Sequence, residues 1–286
     1  MNLLNGKKIA QEIQNSIREH LSCSQGRKPG LAFLLVGEHP ASLTYLRAKQ
    51  KACSATGIQS TLIKLPSTLS HKELLHNIEQ MNQDPSIDGI LVQLPLPSHL
   101  NTSEVLRAID PTKDVDGFHP LNFGKMLLGE EGGFFPCTPF GIHRLLKAYQ
   151  IPIQGKRVVI VGRSNLVGKP LAAILMQKKP DCNATVTLAH RQSEHLQDIC
   201  LSADILVVAI GHPHFIQSHM VRSGAIVVDV GINRQSDGTL VGDVAFQEVA
   251  PRAAWITPVP GGVGPMTIAM LLQNTLLSYS KRENLC

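Results

Sequence analysis

Short apolar runs alternate with stretches of helical spacing along almost the whole chain. Uninterrupted apolar runs are typical of strands in a parallel sheet that helices cover on both faces. In the first part of the chain the pattern predicts strands at 31–36, 60–65 and 89–94 and helices at 43–56 and 70–82. In the second part it predicts strands at 157–161, 184–188, 205–210 and 225–230 and helices at 139–149, 169–178, 194–200 and 266–280. This alternation predicts an α/β fold built on parallel sheets.

The segment at 110–137 separates the two series of elements. It shows neither the apolar runs of the strands nor the spacing of a helix, so we predict a loop there. A chain of 286 residues is long enough for two domains of ordinary size. We predict a first domain at 1–138 and a second at 139–265. The terminal amphipathic helix at 266–286 is expected to pack back on the first domain.

The composition excludes several classes of protein. With 43% hydrophobic and 17% charged residues, the chain is typical of a globular protein and not of a disordered one. No apolar run reaches the roughly 18 residues that a membrane span needs, and residues 1–14 carry no secretory signal. Six cysteines without metal-site spacing predict free thiols in a reducing compartment and no zinc site. We therefore expect a soluble cytoplasmic protein that binds no metal.

The net charge of +5 is modest. It would favour anionic ligands such as nucleotide phosphates, or it reflects solubility alone. Only 4% of the residues are aromatic and no basic stripe is present. These features argue against nucleic-acid binding, and we expect neither a nucleic acid nor a membrane as partner.

A strand–turn–helix motif predicts a nucleotide site. The apolar run at 158–161 leads into Gly162, Arg163 and Ser164, and a helix is predicted to begin soon after Gly168. Glycines let the backbone approach a pyrophosphate, and a helix N-terminus offers unpaired N–H groups to it. The spacing is GxSxxxG and not the GxGxxG of the common dinucleotide fingerprint. A turn of the same shape that binds nothing therefore stays open as an alternative.

The end of the next predicted strand indicates which dinucleotide would bind. NAD sites usually place an acidic residue there to hold the ribose hydroxyls. This chain has His190 and Arg191 instead, and Arg163 lies in the glycine turn. Two guanidinium groups in place of an acid favour the 2′-phosphate of NADP, because guanidinium binds phosphate in bidentate fashion. The alternative is that Arg191 is only a solvated residue at a strand end.

Three further segments carry polar residues in or beside predicted loops. Tyr45 and Lys49 are four positions apart and share a helix face. Gln93 lies at the carboxyl end of a predicted strand, where open α/β sheets bind their ligands. Asp114 and Asp116 lie in a glycine loop, but two carboxylates without further oxygen ligands make a poor metal site. Each of these signals is weak when taken alone.

Seven segments together form a specific combination: SLTYLRAKQKAC, DGILVQLPLP, KDVDGFHP, PCTPFGI, GRSNLVGKP, VVDVGIN and ITPVPGGVGPMT. Through them the chain closely resembles the bifunctional methylenetetrahydrofolate dehydrogenase/methenyltetrahydrofolate cyclohydrolase family, over essentially its whole length. The resemblance implies two α/β domains, an N-terminal catalytic domain and a C-terminal Rossmann-like NADP-binding domain, with the active-site cleft between them. It also implies a homodimer joined through the second domain.

The resemblance assigns roles to individual residues. Lys49 matches the family's catalytic lysine, Tyr45 the aromatic residue that packs on the folate, and Gln93 the polar partner of the lysine. Asp116 matches the acid that hydrogen-bonds the pterin. Further expected substrate contacts are Val92, Leu94, Pro260, Gly261, Gly262, Val263 and Gly264. Expected cofactor contacts are Gly162, Arg163, Ser164, Arg191 and Ile232.

The implied chemistry has two steps, and the residues suit both. NADP would take a hydride from 5,10-methylenetetrahydrofolate, a step that asks mainly for positioning. Water would then add to the methenyl product to give 10-formyltetrahydrofolate, which needs a proton shuttle. Lys49 can serve if its surroundings lower its pKa. We expect structural roles for His119 and His190 and a packed thiol at Cys137.

Three alternatives belong to other classes. One is a monofunctional methylenetetrahydrofolate dehydrogenase with weak cyclohydrolase activity. Another is a quinate/shikimate-type dehydrogenase, which would leave VQLPLP and PGGVGP without a reason. The third is a non-catalytic NADP sensor, which the presence of Lys49 and Asp116 disfavours. The folate chemistry that the resemblance implies would contribute one-carbon units to purine, histidine and methionine biosynthesis.

Overall fold

The computed structural model describes residues 1–23, 26–37 and 40–284. The chain forms two compact units. We call residues Met1–Ala10 and Pro136–Thr267 the six-stranded unit, and residues Gln11–Phe135 and Ile268–Cys286 the three-stranded unit. The α/β fold class predicted from the hydrophobic pattern is confirmed in both units.

The three-stranded unit contains the strands β2 Gly30–Val36, β3 Gln59–Leu65 and β4 Gly89–Val92. They form a parallel sheet of order β3-β2-β4. The central strand β2 is buried along its whole length and pairs with both neighbours in parallel. The helices are α2 Pro40–Thr56, α3 His71–Gln83, α4 Thr102–Ala108 and α5 Pro120–Leu128. Apolar residues of α3 and α4 pack with those of the sheet in one core.

Helix α5 lies inside the segment predicted to be a loop, so that prediction was wrong for residues 120–128. Local signals explain the helix. Pro120 occupies its first turn, and the Nδ1 atom of His119 accepts a hydrogen bond from the backbone N–H of Leu121 at 3.1 Å. Gly129 ends the helix in the left-handed conformation, with φ at 75°. His119 therefore caps a helix, in agreement with the structural role expected for it.

The strands of the six-stranded unit are β1 Asn2–Leu3, β5 Arg157–Val161, β6 Thr185–Ala189, β7 Ile205–Val208, β8 Ile226–Asp229 and β11 Trp255–Ile256. They form a parallel sheet of order β1-β11-β8-β7-β5-β6. The helices within the unit are α6 Cys137–Ala148, α7 Gly168–Leu175, α8 Leu196–Leu201 and α9 Phe246–Val249. A small antiparallel pair consists of β9 Asn233–Arg234 and β10 Leu240–Val241. The chain leaves β5 for β6 on one side and returns to β7 on the other, so a topological switch point lies between β5 and β7.

The remaining helices are α1 Gly6–Cys23 and α10 Val263–Arg282. Residues 1–10 belong to the six-stranded unit, because β1 pairs with β11, whereas the sequence had assigned them to the first domain. From Ile268 onward α10 belongs to the three-stranded unit, where the hydroxyl of Tyr279 donates to the carbonyl oxygen of Arg27 at 2.7 Å. The predicted limits of the functional domains stay a prediction. Within the described ranges, no helix is long and apolar enough to cross a membrane.

Candidate functional site

Tyr45, Lys49 and Gln93 form a cluster in the three-stranded unit, which we call the lysine cluster. Helix α2 places Tyr45 and Lys49 one turn apart, and the lysine Nζ atom lies 4.7 Å from the centre of the tyrosine ring. Lys49 is only 5% exposed, and its Nζ atom donates to Oε1 of Gln93 at 3.1 Å. The structure thus brings together three residues that the sequence had selected.

Gln93 is held in a fixed orientation at the end of β4. Its backbone N–H donates to the carbonyl oxygen of Leu34 at 2.9 Å, and its side-chain Nε2 donates to the carbonyl oxygen of Leu94 at 2.8 Å. With the amide nitrogen engaged, the amide oxygen is directed to Lys49. Val92, the preceding residue, is buried in the strand, and Leu94 is half-buried.

The surroundings of the lysine include a second neutral group. Cys53 follows Lys49 by one helical turn and is completely buried. Burial raises the pKa of the Cys53 thiol to about 12, although the charge of Lys49 acts in the opposite direction. The thiol therefore stays protonated at neutral pH and supplies no countercharge to Lys49.

The two aspartates of the glycine loop differ in their environments. Asp114 is buried, and its carboxylate accepts hydrogen bonds from the backbone N–H groups of Phe118 and His119 and from Nδ2 of Asn122, at 2.8 to 3.1 Å. Burial raises the pKa of Asp114 to about 7 against the effect of these donors. Asp116 is half-buried. Asp114 thus organises the loop, and Asp116 is the carboxylate more accessible to a ligand.

Asn274 is a supporting residue that no sequence motif indicated. It lies in α10, is 3% exposed, and donates through Nδ2 to the carbonyl oxygens of Val115 at 2.8 Å and Phe135 at 3.1 Å. It therefore fixes the backbone immediately before Asp116. An isolated amide in an amphipathic helix carries no sequence signal for this contact.

The glycine turn of the six-stranded unit has room for no side chain at two positions. Gly162 has φ at +134°, and a Cβ atom there would overlap the carbonyl oxygen of Ala209. A Cβ atom on Gly168 would overlap the carbonyl oxygen of Gly162. Arg163 and Ser164 lie between them and are exposed. This turn, with α7 beginning at Gly168, is the glycine cradle in which the sequence predicts a nucleotide pyrophosphate.

The loop after β6 carries the predicted phosphate-binding cation. The Nδ1 atom of His190 accepts from the backbone N–H of Gln192 at 3.2 Å, and the His190 N–H donates to Oγ of Ser193 at 3.0 Å. These bonds give His190 a structural role. Arg191 is exposed at the tip of the turn, at the same edge of the sheet as Arg163, because β5 and β6 are parallel neighbours.

The segment 260–264 lies in the six-stranded unit with the predicted cofactor contacts. Gly261 has φ at +108°, and its carbonyl oxygen accepts from the backbone N–H of Lys7 at 2.9 Å. A Cβ atom on Gly264 would come within 3.3 Å of Cδ1 of Ile232, whose side chain is 54% exposed. The structure thus brings Ile232 beside this glycine loop, in which Val263 is buried and Pro260 exposed.

One cysteine–histidine group that the sequence did not indicate lies away from these residues. Atoms of His143, Asp181 and Cys182 lie within 4.8 Å of one another. The imidazole Nε2 lies 2.9 Å from the carbonyl oxygen of Asp181, and Lys147 pairs with the Asp181 carboxylate at 2.7 Å. These contacts tie α6 to the segment before β6. Cys137, at the start of α6, is 1% exposed, as expected of a packed thiol.

Comparison with protein families identifies both parts of the chain. Residues 4–116 match the tetrahydrofolate dehydrogenase/cyclohydrolase catalytic domain, and residues 136–283 match the NAD(P)-binding domain of the same family. The chain belongs to the tetrahydrofolate dehydrogenase/cyclohydrolase family. Membership confirms the resemblance noted in the sequence and the pairing of a catalytic with an NAD(P)-binding domain. It excludes the quinate/shikimate-type alternative.

Individual members of the family are similar over their whole length. The bifunctional protein FolD of Protochlamydia amoebophila is 58% identical, and the alignment covers 99% of each chain. The crystal structure of the bifunctional enzyme FolD from Campylobacter jejuni has a TM-score of 0.95 at 47% identity and covers 100% of both chains. The Trypanosoma brucei family member, solved with NADP and an inhibitor, has a TM-score of 0.91 at 36% identity and covers 97% of this chain and 96% of its own.

Proposed function

We propose that this protein oxidises 5,10-methylenetetrahydrofolate with NADP and hydrolyses the methenyl product to 10-formyltetrahydrofolate. The observation that carries the proposal is the lysine cluster, a buried lysine held against a neutral amide and an aromatic ring, in a chain of this family. The bifunctional names of its relatives support the same pair of activities.

Hydrolysis needs a group that takes a proton from water and returns one to a ring nitrogen. Lys49 can do both, because an amine is a base when neutral and an acid when protonated. Gln93 orients the Nζ atom through Oε1 without adding a charge. The Tyr45 ring lies beside the same Nζ atom and offers a flat surface on which the aminobenzoyl ring of folate would stack.

Asp116 is the group proposed to recognise the pterin. A carboxylate can accept two hydrogen bonds in parallel, one from the pterin amino group and one from a ring N–H. The loop that carries it is held rigid by Asp114 and Asn274. Rigid support of this kind lowers the entropic cost of binding.

The glycine cradle fits NADP. Gly162 and Gly168 allow the pyrophosphate to approach the backbone, and Arg163 and Arg191 supply cations for the 2′-phosphate. NADP, when bound, accepts the hydride. The residues of the chain need only align donor and acceptor, because the cation left on the folate is stabilised by its own two nitrogens.

We further propose a cytoplasmic homodimer joined through the six-stranded unit, serving purine, histidine and methionine biosynthesis. The edge strand β6 supports this mode of assembly: within the described residues it pairs only with β5, and Leu188 is 38% exposed on it. Sedimentation at micromolar concentration is the test. A stable species of 31.1 kDa would contradict the dimer.

The assay for both activities mixes methylenetetrahydrofolate and NADP with the protein and follows absorbance of NADPH and of the methenyl species together. A bifunctional enzyme forms NADPH with only a transient methenyl signal. The alternative, a monofunctional dehydrogenase, predicts equal and lasting accumulation of both. No NADPH formation would refute the proposal as a whole.

A further inference from the structure

Asp243 is a completely buried carboxylate that collects four N–H donors. Its Oδ2 atom accepts from the backbone N–H groups of Ile210 at 2.7 Å and Gly211 at 2.9 Å. Its Oδ1 atom accepts from the backbone N–H of His212 at 2.9 Å and from Nδ2 of Asn233 at 2.8 Å. Three consecutive amides of one loop therefore converge on a single side chain.

The loop that Asp243 holds lies at the switch point of the sheet. Residues 210–212 follow β7, and β7 is the neighbour of β5, whose carboxyl end carries Gly162. The carbonyl oxygen of Ala209, at the start of this loop, occupies the space that a Cβ atom on Gly162 would need. Ligands of open α/β sheets bind in the crevice between such neighbouring loops.

Asn233 connects the same carboxylate to the end of the loop after β8. It is the first residue of β9 and comes directly after Ile232, the exposed residue beside Gly264. Because both loops hydrogen-bond to Asp243, their positions are coupled through one side chain. Loss of that side chain would therefore release the loop after β7 and the loop after β8 together.

We propose that Asp243 is a positioning residue for the nicotinamide nucleotide: it fixes the loops after β7 and β8 in the arrangement that binds the cofactor. This inference rests on the proposed use of NADP. It gives a role in cofactor binding to Asp243, a residue that the proposed function does not otherwise involve. Asp243 itself is buried and does not need to touch the ligand.

The packing around Asp243 leaves little freedom for a substitute. Its backbone N–H donates to Oδ1 of Asp229 at 2.9 Å, and a Cβ atom on Gly231 would overlap the Asp243 carboxylate. Burial, together with the charge of Asp243, raises the pKa of Asp229 to about 7. Four N–H donors surround the Asp243 carboxylate, so both of its oxygens act as acceptors.

The decisive variant is Asp243→Asn, which keeps the shape of the side chain. An asparagine amide has only one oxygen to accept from the four donors. Its NH₂ group would face the N–H groups that the second carboxylate oxygen now binds, so those hydrogen bonds would be lost. We expect the KM for NADP to rise about tenfold or more, in line with the loss of charge-assisted hydrogen bonds. Cyclohydrolase activity, measured on methenyltetrahydrofolate without NADP, should stay within about twofold, because that reaction requires no hydride acceptor.

Asp204→Asn is the matched control. Asp204 lies at the amino end of the same strand β7, and it accepts from the backbone N–H of Arg157 at 2.9 Å. It holds the opposite edge of the sheet, so its replacement should leave the KM for NADP unchanged. Asn233→Ala, which removes one of the four donors, should raise that KM by a smaller factor of about three.

The outcomes separate the possible failures. An unchanged KM for NADP in a folded Asp243→Asn protein would overturn the positioning role, as would an equal loss of both activities, which marks a purely structural residue. If Asp243→Asn does not fold, Asn233→Ala decides, and an unchanged KM there would count against the inference. A wild-type protein without NADP-dependent activity would instead refute the proposed function.

Discussion

The amide oxygen of Gln93 lies 3.1 Å from the ammonium nitrogen of Lys49, and both side chains are buried. A carboxylate at this distance would stabilise the charged form of the lysine, whereas the amide orients the nitrogen and adds no charge. In the proposed mechanism, this contact orients the lysine nitrogen for proton exchange with the reacting group.

Replacement of Lys49 should separate the two reactions. Lys49→Met and Lys49→Gln remove the proton carrier and retain much of the side-chain length, so cyclohydrolase activity should fall by about 10²–10⁴-fold. Hydride transfer needs only alignment, so part of the dehydrogenase activity should remain and methenyl product should accumulate in the absorbance assay. Lys51→Met, which alters an exposed lysine of the same helix, is the control. Equal losses of both activities, expressed mainly in KM, would show that Lys49 only binds folate.

Gln93→Glu should shift the pH dependence of the cyclohydrolase. A carboxylate next to Nζ favours the ammonium form, so it raises the pKa of the lysine and moves the rise of activity to higher pH. We expect a displacement of about one pH unit or more in the profile of kcat against pH. Gln93→Met, which lacks both the amide and the charge, should lower the rate without that displacement. A superimposable profile for Gln93→Glu would argue against proton transfer by Lys49.

Asp116→Ala should weaken folate binding and both activities while leaving the KM for NADP nearly unchanged. The loss of two hydrogen bonds to the pterin predicts an increase of about tenfold or more in the folate KM. Asp116→Asn keeps one acceptor oxygen and should lose less. Unaltered folate affinity in the alanine variant would leave Asp116 with only a structural part in its loop.

Arg191→Ala and Arg163→Ala should each raise the KM for NADP about tenfold and change the KM for NAD by less than about twofold. The reason is that only NADP carries the 2′-phosphate that these exposed guanidinium groups are proposed to bind. Lys179→Ala removes an exposed cation on the amino side of β6 and should affect neither KM. Equal use of NAD and NADP by the unmodified protein would disprove this assignment.

Asp114 should make the stability of the protein depend on pH. Burial raises its pKa from 3.8 to about 7. Between these values the folded protein holds a proton that the unfolded chain releases, so the free energy of unfolding falls as pH rises through this window. Asp114→Asn cannot release that proton. Its stability relative to wild type should therefore improve from pH 5 to pH 7, by up to about 1.4 kcal/mol per pH unit.

The measurement is urea unfolding followed by far-ultraviolet circular dichroism at pH 5, 6, 7 and 8. The single tryptophan, Trp255, lies in the other unit and would not report on this loop. Asp204→Asn supplies a control whose stability difference from wild type should not change with pH in this range. The backbone N–H of Arg157 and the Arg222 ion pair hold the pKa of Asp204 below its usual range, so that variant should gain nothing as pH rises. A pH-independent difference for Asp114→Asn would contradict the prediction.

The sequence predicted the elements whose signals are local. Strand β2 is a continuous apolar run, and α3 combines a capping box of Ser70 and Glu73 with buried Leu74, Ile78 and Met81. Helix α1 was not predicted, although Ile9, Ile13, Ile17 and Leu21 recur at the four-residue spacing of one helix face. The two-residue strands β1 and β11 exist through their pairing with each other and with β8, which no local pattern reveals.

In the candidate site, too, contacts between residues close in sequence could be predicted, whereas contacts between distant residues could not. The four-residue spacing of Tyr45 and Lys49 predicts a shared helix face, and the contact follows. Asp243 lies 33 positions from Ile210 and its role depends on how three loops converge, so its residue type alone indicates nothing. Asn274 is likewise separated by 159 positions from Val115. Supporting residues of this kind arise from topology, whereas motifs mark the groups that face a ligand.

Neither compact unit is a continuous stretch of chain, and this affects how the protein can be made. Strand β1, at residues 2–3, pairs with β11, at residues 255–256. The three-stranded unit in turn depends on Asn274, Ser278 and Tyr279 of α10, which supply buried hydrogen bonds to its earlier segments. Neither core can therefore close until these distant residues have been synthesised, and each closes over a long sequence separation that carries a cost in loop-closure entropy. A fragment that ends at residue 267 lacks part of one core, and a fragment that starts at residue 11 lacks part of the other.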